Sequence, residues 1–406
     1  MSFLRQISLE SWIFYAILAE AFFIALSPSL ATTALLIGTV LWLVRLKCRQ
    51  GPRFCRTPLD VPIGIFVLCG AASIAVSPNP AFSFYNYYNL VGVYVLTYLL
   101  VTQNIHREYE LRWIAGALAA GALLVTVYGY YQYIFGIDTS AMKWVDGEAF
   151  PELKKRVFST WENPNILAGY LDAAICVCFG FFVKLRERSS RVLLVLGMVL
   201  LALCLAMTYA RGACLAIAVV LAGYGALKDR RILAACVLAA AALLAMDPAL
   251  AERLSSVFTK VDTSSEMRLA LWESTIAMIQ DHPLLGIGWG SYWMVYPAYD
   301  FYINDPSVLI VHAHNVYLNY AAEIGLIGAA AYFVYFFGTM RLALRPRGRY
   351  GDFCAGFSLG IGLAVLSVAL NGLTDDVLFN IPSSMLLWLL CAIIACMDKI
   401  HNRGGF

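Results

Sequence analysis

The chain has 406 residues, 61% of them hydrophobic and only 14% charged, with a mean hydropathy of +0.72. Soluble domains are roughly half apolar and a quarter charged, so this composition excludes an ordinary soluble protein. A net charge of +3, with no run of five or six like charges, also excludes a nucleic-acid partner.

Twelve apolar segments are long enough to cross about 30 Å of hydrocarbon at 1.5 Å per residue. In chain order they predict spans at 11–26, 30–46, 59–76, 88–103, 112–135, 165–184, 190–208, 211–227, 231–247, 315–340, 352–370 and 378–397. The first lacks an A-x-A-like cleavage site and is expected to be retained, so that the mature protein starts at Met1. The reading is an all-α polytopic membrane protein with 1–406 as a single integral membrane domain. Lys and Arg collect in alternate connections, around Arg45 to Arg56, Arg107 to Arg112, Lys184 to Arg191, Lys228 to Arg231 and Arg341 to Arg349. With Arg5, Lys399 and Arg403 they make 21 of the 29 basic residues, which places both termini in the cytoplasm.

Two connections on the opposite face have real length, an outer loop at 136–164 and a long one at 248–311. Chemistry is therefore expected to face outward. Within the longer loop, Leu271, Trp272, Thr275, Ile276 and Ile279 recur at helical spacing and predict an amphipathic helix over Glu266–Gln280, lying on the membrane surface as part of a cap. Gly286, Gly288 and Gly290 lack the Walker lysine and flanking elements of a phosphate loop and read as a flexible turn. The eleven cysteines avoid the outer loops and form no disulfide or metal framework. The 23 Tyr, 23 Phe and 9 Trp suit interfacial belts and helix packing, and some could offer faces to sugars.

Eight basic residues run against the charge asymmetry: Lys143, Lys154, Lys155, Arg156, Arg211, Arg253, Lys260 and Arg268. Arg211 is the most telling, because it sits in a very short outer connection where charge is costly unless paired or used. It either snorkels to headgroups or holds an anion. Arg268 and Arg156 have solvated readings when taken singly. Together the three suit a diphosphate, since guanidinium offers bidentate geometry at any relevant pH.

His314 lies where the long loop enters the tenth span, placed to take a proton from a hydroxyl or simply to cap a helix. His312 and His314 as a zinc pair are disfavoured by their i, i+2 spacing, which does not put two ligands on one helix face. Asn315, Asn319 and Glu323 follow at i, i+4 and i+8 as a polar stripe. Asn165 with Asp172, and Asn371 with Asp375 and Asp376, mark two further outer ends. Interhelical hydrogen bonding is the alternative role for Asn165 and Asn319.

Taken in order, FSTWENPNILAGYL at 158–171, ARGACL at 210–215, EMRLALWESTIAMIQDHPLLGIGWGSY at 266–292 and HAHNVYLNYAAEIGLIG at 312–328 resemble the O-antigen ligase and polymerase superfamily. The resemblance runs over about 156–340 and reaches the first five spans only in hydropathy. It implies a GT-C-like fold in the bacterial inner membrane, with the site facing the periplasm and no metal or other cofactor. Its members move a glycan from undecaprenyl diphosphate to an acceptor hydroxyl, on lipid A core oligosaccharide for a ligase or on a growing glycan for a polymerase. The resemblance makes His314 the general base and assigns the diphosphate to Arg211 and Arg268, with Arg156 as a third holder. Asn315, Asn319, Glu323, Asn165 and Asp375 are supporting polar residues. A competing class, the membrane transporter, predicts ionisable groups near the midplane; here only Glu20, Asp172 and Glu323 lie deep.

Overall fold

The computed structural model describes residues 8–48, 54–136, 156–246, 251, 263–302, 309–345 and 351–402. Arg5, Arg49, Arg53, Lys143, Lys154, Lys155, Arg253, Lys260, Arg347, Arg349 and Arg403 lie outside the described residues, as does most of the first outer loop. Among the described residues every regular element is helical, and the chain is an all-α, multi-pass membrane protein.

The elements are α1 (Leu9–Phe23), α2 (Pro28–Lys47), α3 (Asp60–Ser73), α4 (Pro80–Asn89), α5 (Leu96–Asn104) and α6 (Glu108–Phe135). They continue as α7 (Pro164–Lys184), α8 (Arg188–Ala206), α9 (Arg211–Lys228), α10 (Arg230–Met246), α11 (Thr263–Asp281) and α12 (Tyr292–Val295). The last three are α13 (Val316–Leu344), α14 (Asp352–Asn371) and α15 (Ile381–Asn402). Among the described residues eight helices, α2, α6 to α9 and α13 to α15, are long and apolar enough to cross a membrane. The four other expected spans fall on shorter helices: α1, α3 with its 3-10 extension, the α4–α5 pair and α10.

Helix starts follow local chemistry. Ser27, Asn79 and Asn163 cap α2, α4 and α7, each with proline in the first turn, where its missing N–H leaves no bond unmade. That cap starts the fourth span at Pro80, eight residues earlier than hydropathy suggests, and a π-helical turn at Leu90–Val95 joins α4 to α5.

The core gathers around α7, α13, α14 and α15, whose apolar windows are 61–83% buried. At the α7–α14 contact, a Cβ on Gly180 would come within 2.3 Å of the Gly360 backbone, so the two main chains touch. Buried acids tie helices together: Thr97 on α5 donates to Glu20 on α1 at 2.6 Å, and Ser367 on α14 donates to Asp172 on α7 at 3.1 Å.

The glycine series is not a flexible turn. Helix α13 breaks at Gly325, whose φ of 74° takes its backbone out of helical geometry. The 283–288 segment docks into that break: Ile287 N–H donates to Ala322 O at 2.8 Å, Gly288 N–H to Glu323 O at 3.1 Å, and Leu326 N–H to Pro283 O at 2.9 Å. Freed backbone groups in a membrane helix must find partners, and the turn supplies them. Helix α11 spans the expected Glu266–Gln280, but its buried stripe is Leu271, Ser274, Thr275 and Met278, while Ile276 is exposed. That face packs into a small second core with Tyr292, Tyr296 and Ile310, so protein contacts set its rotation.

Candidate active site

Helix ends build the site. Asn163 and Pro164 fix the start of α7, placing Asn165 in its first turn. Arg211 opens α9, where a Cβ on Gly212 would sit 2.9 Å from Thr374 Oγ1 and 3.0 Å from Asn371 Oδ1. The start of α9 thus abuts the turn that carries Asp375. Asn315 is the N-cap of α13: its Oδ1 accepts from the amides of Tyr317 and Leu318, and its Nδ2 donates to Leu373 O at 3.1 Å. The expected polar stripe therefore begins with a cap. Asn319 accepts from Ala313 N–H at 3.1 Å, and Glu323 takes the backbone amides of Gly290 and Tyr292.

His314 meets Asp375 at 3.1 Å between Nδ1 and Oδ1. The other carboxylate oxygen, Oδ2, accepts from Asn165 Nδ2 at 2.9 Å. Asn165 Oδ1 in turn accepts from Arg156 Nη2 at 2.6 Å, and Arg156 Nε is anchored on Thr208 O at 2.7 Å. This is the order of parts expected of an oriented base: an imidazole, a carboxylate that holds it, and groups that hold the carboxylate. In the tautomer with its proton on Nδ1, His314 keeps the Nε2 lone pair for a substrate. Its side chain is 35% exposed while that of Asp375 is 13% exposed, so the imidazole is reachable and its partner is shielded.

Charge divides the two neighbouring acids. Burial alone would raise the Asp375 carboxyl, but the hydrogen bond and charge of His314, with His312 and Arg268 beyond, hold it well below the usual carboxylate range. Burial, and then the charge of Asp375, push Asp376 up to about 7. Arg156, Arg268, His314, Asn165 and Asp375 are thus brought together, with Arg211 on the adjoining helix end.

Backbone geometry marks the same places. Among the described residues, non-glycine residues at positive φ are Ser159, Glu162, Tyr209 and His314, at 49°, 60°, 53° and 48°. Each lies within three residues of Arg156, Asn165 or Arg211, or is the candidate base itself. Left-handed backbone at such side chains is strained and collects at functional sites.

The reason for setting aside the histidine pair needs correction. His312 and His314 are not on a helix, and their rings lie 4.3 Å apart. With Asp375 they present ligand atoms within 4.8 Å of one another, close enough to share a cation. One nitrogen of each ring already has a partner: Nδ1 of His312 accepts the His314 amide at 3.1 Å, and Nδ1 of His314 faces Asp375. Burial, then the charge of His314, push the His312 imidazole down to about 3, so it stands neutral beside the base.

Residues 196–333 match the family model described as O-antigen ligase. Over that stretch the chain is similar to the O-antigen ligase family. Among curated proteins none matches the chain. The O-antigen ligase match supports a membrane glycosyltransferase of the ligase or polymerase type. It takes in Arg211, Arg268 and His314, whereas Arg156, Asn165 and Asp375 come from outside the matched stretch. Sequence reasoning put Asp375 among the supporting residues and gave it no tie to His314. No local signal could have made that tie, since the two stand 61 positions apart.

Proposed function

We propose that the protein transfers a glycan from undecaprenyl diphosphate to an acceptor hydroxyl at the outer face of the bacterial inner membrane. The His314–Asp375–Asn165–Arg156 chain of hydrogen bonds carries this reading. His314 Nε2 takes the proton of the acceptor hydroxyl as its oxygen attacks the anomeric carbon. The bond from that carbon to the diphosphate oxygen breaks, the electron pair leaves with the diphosphate, and the configuration inverts. Asp375 stabilises the imidazolium that forms. Arg211, Arg268 and Arg156 meet the charge that collects on the leaving group, which departs as a stabilised anion and needs little acid assistance. The charge asymmetry of the loops supports cytoplasmic termini and a periplasmic site.

The acceptor favoured here is lipid A core oligosaccharide, which makes the protein a ligase; a growing glycan in its place would make it a surface-polysaccharide polymerase. The test is transfer by purified protein given undecaprenyl-diphosphate glycan and each acceptor, in the presence of chelator. Wild type is expected to form product while His314→Ala and Arg211→Ala lose at least about 100-fold in rate. Full transfer by His314→Ala would remove it as the base, and loss of wild-type transfer in chelator would bring the His312, His314 and Asp375 cluster into play as a cation site. The acceptor consumed separates ligase from polymerase.

A further inference from the structure

Close to the His312–His314 pair, with neither Asn165 nor Arg156 in its lining, lies a cavity of about 540 Å³ between α4, residues 289–293 and the start of α15. Its wall includes Asp376, the neighbour of Asp375, and Phe379, whose ring lies 5.1 Å from His312. It is in the range of small-molecule sites, ~300–1,000 Å³. Three hydroxyls clasp its back: Ser77, Ser83 and Ser291 lie mutually within 2.7–2.9 Å, fixing α4 against the turn.

We propose that this cavity binds the terminal, uncharged sugars of the acceptor glycan, with Trp293 and Phe82 as stacking faces and Asn86, Asn89 and Asn380 as partners for hydroxyls. The inference rests on the glycosyl-transfer reading given above and adds a place for the second substrate.

Charge excludes the donor diphosphate. Among the described residues lining the cavity there is no lysine or arginine, and two are acids, Glu323 and Asp376. A diphosphate belongs with Arg156 and Arg268, neither of which lines the cavity. The side-chain amides of Asn86, Asn89, Asn319 and Asn380 also make it a poor slot for a polyprenyl tail, which could offer no hydrogen bond beyond those that Asn86, Asn319 and Asn380 make within the protein. A sugar ring satisfies both halves of the lining, with C–H faces for aromatic rings and hydroxyls for amides. Trp293 is 37% exposed and packs edge to face with Phe82 at 5.8 Å, so a ring surface remains open to a ligand. Displacement with inversion requires the acceptor hydroxyl to arrive opposite the leaving group. The lining that lacks cations and offers aromatic rings and amides is the one suited to the acceptor. Phe82, Asn86 and Asn89 fall outside the matched 196–333, so acceptor choice is set partly by the first half of the chain.

The test uses the full chain in detergent and, as probe, the delipidated oligosaccharide released from the source organism's envelope glycolipid. Calorimetric binding and transfer kinetics are measured for wild type, Trp293→Ala, Asn86→Ala and Trp293→Phe. The two alanine variants are expected to weaken binding about tenfold and to raise the acceptor KM while the donor KM holds, with Trp293→Phe recovering most of the loss. Unchanged binding and acceptor KM in both alanine variants overturns the assignment, as does a rise in the donor KM alone or the absence of wild-type affinity for the probe. Binding that follows this pattern without any transfer would leave the cavity standing and sink the glycosyl-transfer reading. Transfer that is indifferent to the variants would do the reverse.

Discussion

Helices α8 and α14 have nearly the same mean hydropathy, yet 17% of one apolar window and 67% of the other are buried. Lipid tails are as apolar as leucine, so hydropathy registers that a helix leaves water and is blind to what it meets instead. The difference lies in the size of the side chains. Helix α8 is rich in leucine, with Leu193 and Leu196 mostly exposed, whereas α14 carries Gly356, Gly360, Gly362 and a pair of buried serines. Small residues let main chains approach, and the catalytic candidates hang from helices that use them: Asn165 from α7 and Asp375 just beyond α14.

The sharpest way to break this contrast is Gly180→Val. Its side chain would enter the Gly360 backbone, and we expect loss of folded protein in thermal-shift and size-exclusion measurements. Gly197→Ala on α8 meets nothing within 4 Å and should keep or slightly raise stability, by up to about 1 kcal/mol. Equal effects of the two would mean that α7–α14 packing is not the organising contact.

Gly325→Ala comes next. A Cβ there would lie 2.1 Å from Leu284 O at a φ of 74°, so the docked turn must shift. The expected loss is several kcal/mol on the scale of about 1–3 kcal/mol for backbone strain plus the clash, read as a fall of the melting temperature.

The smallest effect concerns Asp376. Its folded value of about 7 lies above the ordinary 3.8, so the folded state holds a proton that the unfolded chain releases. Stability from this group is therefore present at low pH and lost as pH rises from about 4 to about 7. Asp376→Asn keeps an oxygen for the amides of Leu378 and Phe379 and cannot ionise. Its melting temperature should match wild type near pH 4 and exceed it above pH 7; a constant offset across that range would count against the raised carboxyl.

Much of this architecture is legible in the sequence because it is local. Apolar length gives the helices, proline and asparagine give their starts, and an arginine in a connection otherwise poor in basic residues announces itself. The rest depends on contacts that no window spans. Asn165 and Asp375 are 210 positions apart, and the cavity draws on α4, the 289–293 turn and residues 376–382. The break in α13 is invisible for another reason: AAEIGLIG holds no proline and keeps a helical pattern, and only the backbone angle at Gly325 distinguishes a broken span from a whole one. The i, i+2 spacing of His312 and His314 says nothing about their side chains, because both residues precede the helix.

The docked turn bears on how this protein can drift in sequence. The bonds joining 283–288 to α13 run between main-chain atoms, and main-chain atoms carry no record of residue type. Leu284 and Leu285 point outward and can be exchanged while the tether holds, so the position of the segment that follows His314 is insulated from change on the surface of the cap. What cannot vary are the glycines where the two main chains meet, Gly325 at the break and Gly286 in the turn, whose Cβ atoms would lie 2.1 Å from Leu284 O and 2.5 Å from Ala322 O, so positions without side chains guard the placement of the candidate imidazole.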